Sequence, residues 1–269
     1  LTQLSLSWNE LTSKGVVALA QCGSLTNLTV LTLDANKIED DGLHAISESK
    51  ALSGLQVITL TKNNIGDSGA LALIKSTNLS QLSILDLELN NIGQERLTKF
   101  PDGTANSLLS RLNLRRNKIG DETIIDWLQT GAFVPVKKLN LGWNKINDKG
   151  MVALAKSPML SGVEELILDS NFIGNEGATA IAQSKHMESL TVLEMHDNKY
   201  NQTGANSLMD LRIRNLVKKH LSGTELNLNG KQLENQGLKA LARSDLLANV
   251  ATLSLRNNHF DYIGLEALS

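Results

Sequence analysis

Hydrophobic and polar positions along the chain recur in one frame, L-x-x-L-x-L-x-x-N-x-L, met first as Leu1, Leu4, Leu6, Asn9 and Leu11. It returns 27 residues later as Leu28, Leu31, Leu33, Asn36 and Ile38, and at the same shift with Asn63, Asn90, Asn117, Asn144, Asn171 and Asn198. The spacing then stretches by six, to 33, where a weaker copy reads Leu226, Leu228, Lys231 and Leu233. A last copy, Val250, Leu253, Leu255, Asn258 and Phe260, follows 27 residues on. Ten copies account for all 269 residues, and a fixed period of this length is the mark of a stacked repeat architecture.

Each copy predicts one strand and one helix. Apolar residues alternating at period two over L-x-L-x-L make a short strand with one buried face. The Asn, present in nine of ten copies, ends that strand with an amide able to satisfy backbone groups of the turn and of the adjacent coil. Four residues past it, Ser13, Asp40, Asp67, Asp121, Asp148, Asn175 and Asn235 are helix-capping types. Helical sequence follows, with small residues at a fixed place (Ala18, Ala45, Ala72, Ala153, Ala180, Ala240 and Ala267) that would let the helix approach the sheet closely. One strand and one helix in constant order imply a parallel sheet with right-handed crossovers, and units that bury their faces only by stacking.

The stretches "LDLELNNIG", "LILDSNFIGNEGATAIAQS" and "LNLGWNKINDKGMVALAKS" resemble leucine-rich repeats of the ribonuclease-inhibitor type. The strict 27-residue period and the "ALA-x-S" helix ends are most similar to bacterial relatives, including the Gly-Ala-Leu-Ala repeat proteins. The resemblance covers all ten copies. It implies an α/β horseshoe solenoid with the parallel sheet on the concave face and the helices on the convex one. It also implies protein–protein binding through the concave sheet and its adjoining loops. Residues 1–269 read as a single domain of this kind, a fragment lacking its caps, because Leu1 already opens a strand and Ser269 falls inside a helix. Paired cysteines, which close the ends of extracellular relatives, are missing.

Composition narrows the function classes. With 41% hydrophobic and 20% charged residues the chain is globular, and 26 Lys+Arg against 28 Asp+Glu argue against bulk binding to nucleic acid or anionic membrane. No apolar run approaches the roughly 20 residues of a membrane span, and the first residues do not show the basic-then-apolar pattern of a signal peptide. The single cysteine, Cys22, excludes an intrachain disulfide and a thiolate metal cluster. Phosphate-loop, HExxH and GxSxG motifs are all missing.

The period also maps the open face, because residues at the third, fifth and seventh places of the frame point outward and the eighth lies at the rim. Copies five and six carry a basic zone, Arg111, Arg115, Arg116 and Lys138, with the rim residue Trp143 beside Gly142, a gap in the side-chain wall. Acidic groups flank it: Asp86 and Glu88 on one side, Asp169, Glu165, Glu194 and Asp197 on the other. Arg and Trp are enriched among binding hot spots. His196 alone among the five histidines lies on the open face, near Asp169 and Glu194. That group has no pocket and no second histidine, so neither metal nor cofactor is expected.

Two irregularities stand out. Copies four and five break the helix rule: Arg96, Leu97, Thr98 and Lys99 with the turn signal Phe100-Pro101-Asp102-Gly103 in one, Trp127 and Phe133 in the other. There aromatics would fill space left by lost alanines. The six-residue expansion in copy eight, around 210–220, reads as a lengthened amphipathic helix with positive charge towards its end.

The expected function is non-enzymatic recognition of a protein partner with an acidic segment across copies four to eight. Arg111, Arg115, Arg116, Lys138 and Trp143 would make contact, with His196 also among the partner-binding residues, while Asp169, Glu194 and Asp197 would select against misplaced acidic neighbours. No nucleic acid, membrane or small-molecule substrate is expected. The resemblance suggests a bacterial protein in the cytoplasm, or an effector secreted into a host cytoplasm. The alternatives it leaves are the substrate-recognition arm of a larger enzyme, such as a ubiquitin-ligase component, and a GTPase-activating protein.

Overall fold

The structure is a computed structural model that describes residues 1–94, 108–131 and 135–268. Eight three-residue strands form one parallel sheet in chain order: β1 (Gln3–Ser5), β2 (Val30–Thr32), β3 (Val57–Thr59), β4 (Ile84–Asp86), β5 (Arg111–Asn113), β6 (Lys138–Asn140), β7 (Glu165–Ile167) and β8 (Val192–Glu194). The register advances by one period at each step, pairing Leu4 with Leu31 and Leu31 with Ile58, and so on to Leu193. The middle residue of each strand is turned into the core and its neighbours are more open, as the period-two alternation predicts. Helices α1 (Ser13–Ala20), α2 (Glu39–Glu48), α3 (Asp67–Ile74), α4 (Asp121–Gln129), α5 (Asp148–Lys156) and α6 (Asn175–Gln183) return the chain between strands. The copy-four helix segment lies outside the described residues, as do the turn signal at 100–103 and Phe133. Trp127, 2% exposed, fills the α4 site that Leu154 and Ile181 hold in later copies.

Asparagine joins the copies. The Asn144 side chain donates to the carbonyls of Leu141 in its own copy and Leu114 in the preceding one, and its Oδ1 accepts the Ile119 N–H, all at 3.0 Å. Asn117 and Asn171 repeat the pattern one period to either side. Asn63 departs from it: α2 begins early, at Glu39, and the buried Asn63 Oδ1 has no partner. Just before each asparagine the chain takes a left-handed turn, with positive φ at Trp8, Ala35, Lys62, Leu89, Arg116, Trp143, Ser170, Asp197 and Asn257. Only copy nine uses glycine there, Gly230.

The capping residues act differently from expectation. Asp67, Asp121, Asp148 and Asn175 are the first residues of their helices, and none of those helices has a side-chain cap bond. Their oxygens reach one copy ahead instead. Asp148 Oδ1 accepts the N–H groups of Gly174 and Gly177 at 2.7 and 2.8 Å, and Asn175 Oδ1 those of Asn201 and Gly204. A Cβ on Gly177 would lie 2.7 Å from Asp148 Oδ1, so the helix glycine makes room for this link. The alanines play a smaller part than expected: Ala18 is exposed, and of that set Ala72 and Ala240 are buried.

The regular solenoid ends after copy eight. The expanded segment forms α7 (Gln202–His220), capped by Asn201 and carrying Lys218, Lys219 and His220 in its last turn, as its sequence predicts. Beyond it, β9 (Leu221–Ser222) runs antiparallel to β10 (Glu225–Asn227), and β10 pairs in parallel with β11 (Thr252–Ser254). These strands form a second sheet, which corrects the expectation of a single sheet through all ten copies. Helices α8 (Glu234–Ala242) and α9 (Tyr262–Leu265) complete the last two copies, whose buried residues form a core cluster of their own with Ile213 and Val217. Among the described residues no helix is long and apolar enough to cross a membrane.

Asn144→Ala leaves buried carbonyls and one N–H without partners, so a loss of about 3 kcal/mol or more is expected in denaturant unfolding. Ala35→Gly should act in the opposite direction. Relief of the left-handed strain at φ 52° outweighs the added freedom of the unfolded chain and raises stability by about 0.5–1 kcal/mol. A stability loss for Ala35→Gly would contradict the strain argument.

Candidate binding surface

The rows expected from the period are present on the concave face. Gln3, Val30, Val57, Ile84, Arg111, Lys138, Glu165 and Val192 are successive third-place neighbours, and Asp86, Asn113, Asn140, Ile167 and Glu194 follow one another at the fifth. Strands about 4.8 Å apart put such neighbours within reach of one another, and many of the polar ones are satisfied internally. Thr59 donates to Asp34 at 2.9 Å, and Asn113 donates to Asp86 at 3.0 Å and Glu88 at 3.3 Å.

The basic zone is less free than its sequence suggests. Arg115 lies 4.0 Å from Glu88 and donates through Nη1 to both oxygens of Asp169, at 2.8 and 3.1 Å. Asp169 is two copies away, and the guanidinium reaches it because the intervening seventh-place residue is Gly142. A Cβ there would stand 2.6 Å from Arg115 Nη1 and 2.5 Å from Asp169 Oδ1. The gap in the side-chain wall is thus crossed by an ion pair whose Asp169 side chain is only 5% exposed. Lys138 is likewise committed, to Glu165 at 2.6 Å. Arg115 and Lys138 thus carry internal carboxylate partners, because the stacking pitch brings opposite charges one and two copies apart together.

What remains open is a smaller surface. Trp143 is 48% exposed, with Arg116 4.9 Å and Arg115 5.8 Å from the centre of its ring. The left-handed turns at Arg116 and Trp143 hold both side chains at the rim. Arg111 is exposed on β5, and neither Arg111 nor Arg116 meets a carboxylate among the described residues. On the far side Glu194, His196 and Asp197 are exposed. One ligand atom each from Asp169, Glu194 and His196 lies within 4.8 Å of the others, close enough for a cation, yet Arg115 already occupies both Asp169 oxygens. Sequence reasoning missed a further exposed aromatic, Phe172, 47% exposed with Lys199 5.9 Å from its ring centre. It sits one place past the frame's asparagine, where alternation says nothing about burial.

A family profile described as Leucine Rich repeat matches residues 1–20, 24–47, 55–73, 105–124, 135–155 and 163–182. Every matched stretch lies before the expanded copy. Among solved structures the chain is similar to an internalin from Listeria monocytogenes str. 4b F2365, with 20% identity and a TM-score of 0.41, over 100% of this chain and 85% of that one. A search of curated protein sequences gives no match.

Gly142→Ala should drive Arg115 and Asp169 apart and cost about 1–2 kcal/mol. A double-mutant cycle with Arg115→Ala should return a coupling of about 1 kcal/mol. An equal cost in both backgrounds would mean that the glycine does not serve the ion pair.

Proposed function

Because the chain belongs to the leucine-rich-repeat family, we propose that it is a recognition module that binds another protein across the concave face, with Trp143, Arg116 and Arg111 as the contact points. Leucine-rich repeats are in general protein-interaction modules, and the fold by itself carries no chemistry. The observation behind the assignment is Trp143: a large ring, half exposed, fixed at the rim of the central copies and flanked by two guanidinium groups. A rigid aromatic of this kind loses little conformational freedom on binding and is a typical hot-spot residue.

Arg111 and Arg116 favour an acidic segment on the partner. Arg115 acts through its neighbours, holding the Trp143 ring from one side while tied to Asp169. Glu194 and Asp197, exposed on the open face and rim of β8, repel acidic groups that stray across that face beyond the basic residues and so fix the register of the bound segment.

Affinity capture from cell extract with mass spectrometry tests this reading. The chain is compared with an Arg111→Glu/Arg116→Glu/Trp143→Ala variant whose folding is verified by circular dichroism. A partner held by the first and at least tenfold depleted with the second is the expected result. Equal capture by both would remove recognition from this face.

A further inference from the structure

The break between the two sheets leaves an edge that the solenoid elsewhere covers. In seven successive copies the sixth-place N–H donates to the next copy's strand, from Leu6 to Thr32 through to Leu168 to Glu194. The eighth-place N–H does the same, from Trp8 to Asp34 through to Ser170 to His196. At β8 the series stops. The Met195 and Asp197 N–H groups have no hydrogen-bond partner in the described structure, although Met195 is only 4% exposed. Beside this edge opens a cleft of about 770 Å³ between β8, α7 and the turn after β10. Its walls include Val192, Met195, Leu208 and Leu216.

Two features of the sequence create the cleft. The six-residue expansion carries the chain through α7 into the β9 hairpin, so no strand reaches the β8 edge. Lys231 replaces the asparagine that would otherwise have joined copies eight and nine, and the Tyr200 hydroxyl donates to the Met195 carbonyl, the kind of acceptor that the next copy's asparagine serves elsewhere. The same substitution puts a cation into the cleft. Lys219, Arg212 and His220 line it too, and no Asp or Glu does. Arg212 bridges the break by donating to the Lys231 and Gln232 carbonyls, which leaves its charge without a carboxylate partner. Partial burial first, and then the charges of Lys231 and Lys219, hold the His220 imidazole below the usual histidine range.

We propose that this cleft binds an extended acidic segment of a partner protein, which adds a strand to the free edge of β8. Its carbonyls take the Met195 and Asp197 N–H groups, its apolar side chains alternate into the wall of Val192, Met195 and Leu208, and its carboxylates face Lys219 and Lys231. Pairing along a strand edge supplies affinity through the backbone, while the pockets and charges select the sequence. The site is separate from the Trp143 surface and does not depend on it.

The test pans a phage-displayed library of random nonapeptides against the immobilised chain. Enriched peptides are then measured by fluorescence anisotropy against wild type, Lys219→Glu/Lys231→Glu and Trp143→Ala. The substituted lysines are on the surface of the cleft, and circular dichroism checks that the fold is kept. The expected result is enrichment of alternating apolar residues with Asp or Glu, and at least tenfold weaker binding to the double lysine variant. Binding to Trp143→Ala should be unchanged, and peptide should slow Met195 amide exchange in NMR spectra. Peptides that ignore the lysines but need Trp143 would overturn the proposal while supporting the concave surface. It is equally overturned if no acidic peptide is enriched, or if sedimentation shows a dimer that Lys219→Glu/Lys231→Glu dissociates, since the edge would then belong to a second copy.

Discussion

A buried asparagine in each of copies two to seven holds the regular solenoid together. A three-residue strand and a helix of eight to ten residues bury too little to be stable alone, so each copy depends on its neighbours. The asparagine amide makes that dependence specific. It is the one side chain with donors and an acceptor placed to satisfy carbonyls of two copies and an N–H of the earlier one, in a place that water does not reach. A carboxylate would lack the donors and an apolar residue would orphan the backbone groups, which is costly in a buried site. A second inter-copy link runs on the helix side, where Asp148 and its counterparts bind the N–H groups at the start of the next helix.

Joints repeated in this way set a constant pitch, and the pitch decides what the concave side chains do. Glu88, Arg115, Gly142 and Asp169 are successive seventh-place residues. With a side chain at the third of these, Arg115 would have only its immediate neighbours. With glycine there, it spans two strand spacings, about 10 Å, to reach Asp169. The pair in turn supports the Trp143 ring. A missing side chain is what organises the half-exposed Trp143 ring.

The same logic explains the break. Where the asparagine becomes Lys231 and the spacing grows by six, both the joint and the pitch are lost, and the parallel sheet ends at β8. The last two copies then form a small sheet and core cluster that contact the rest chiefly through α7. A discontinuity that would only weaken an ordinary sheet here leaves backbone donors unpaired beside Lys219, Lys231 and Arg212.

Strand positions, their register and the outward rows of the first eight copies were legible in the sequence, because a period of 27 with alternation of two leaves no freedom in which residues face the core. The lengthened α7 and its basic end were legible for the same reason. The capping residues were misread because one-dimensional spacing cannot separate a bond to a residue's own helix from a bond to the next copy's. The basic zone was overestimated because a list of charges by row omits the partner two rows away. Sequence alone determined the repeat, its strand–helix order and which positions are buried, since these follow from periodicity and solvent exclusion. Only the tertiary structure decided which charges neutralise one another and where an edge stays open, since both depend on distances between copies far apart in the chain.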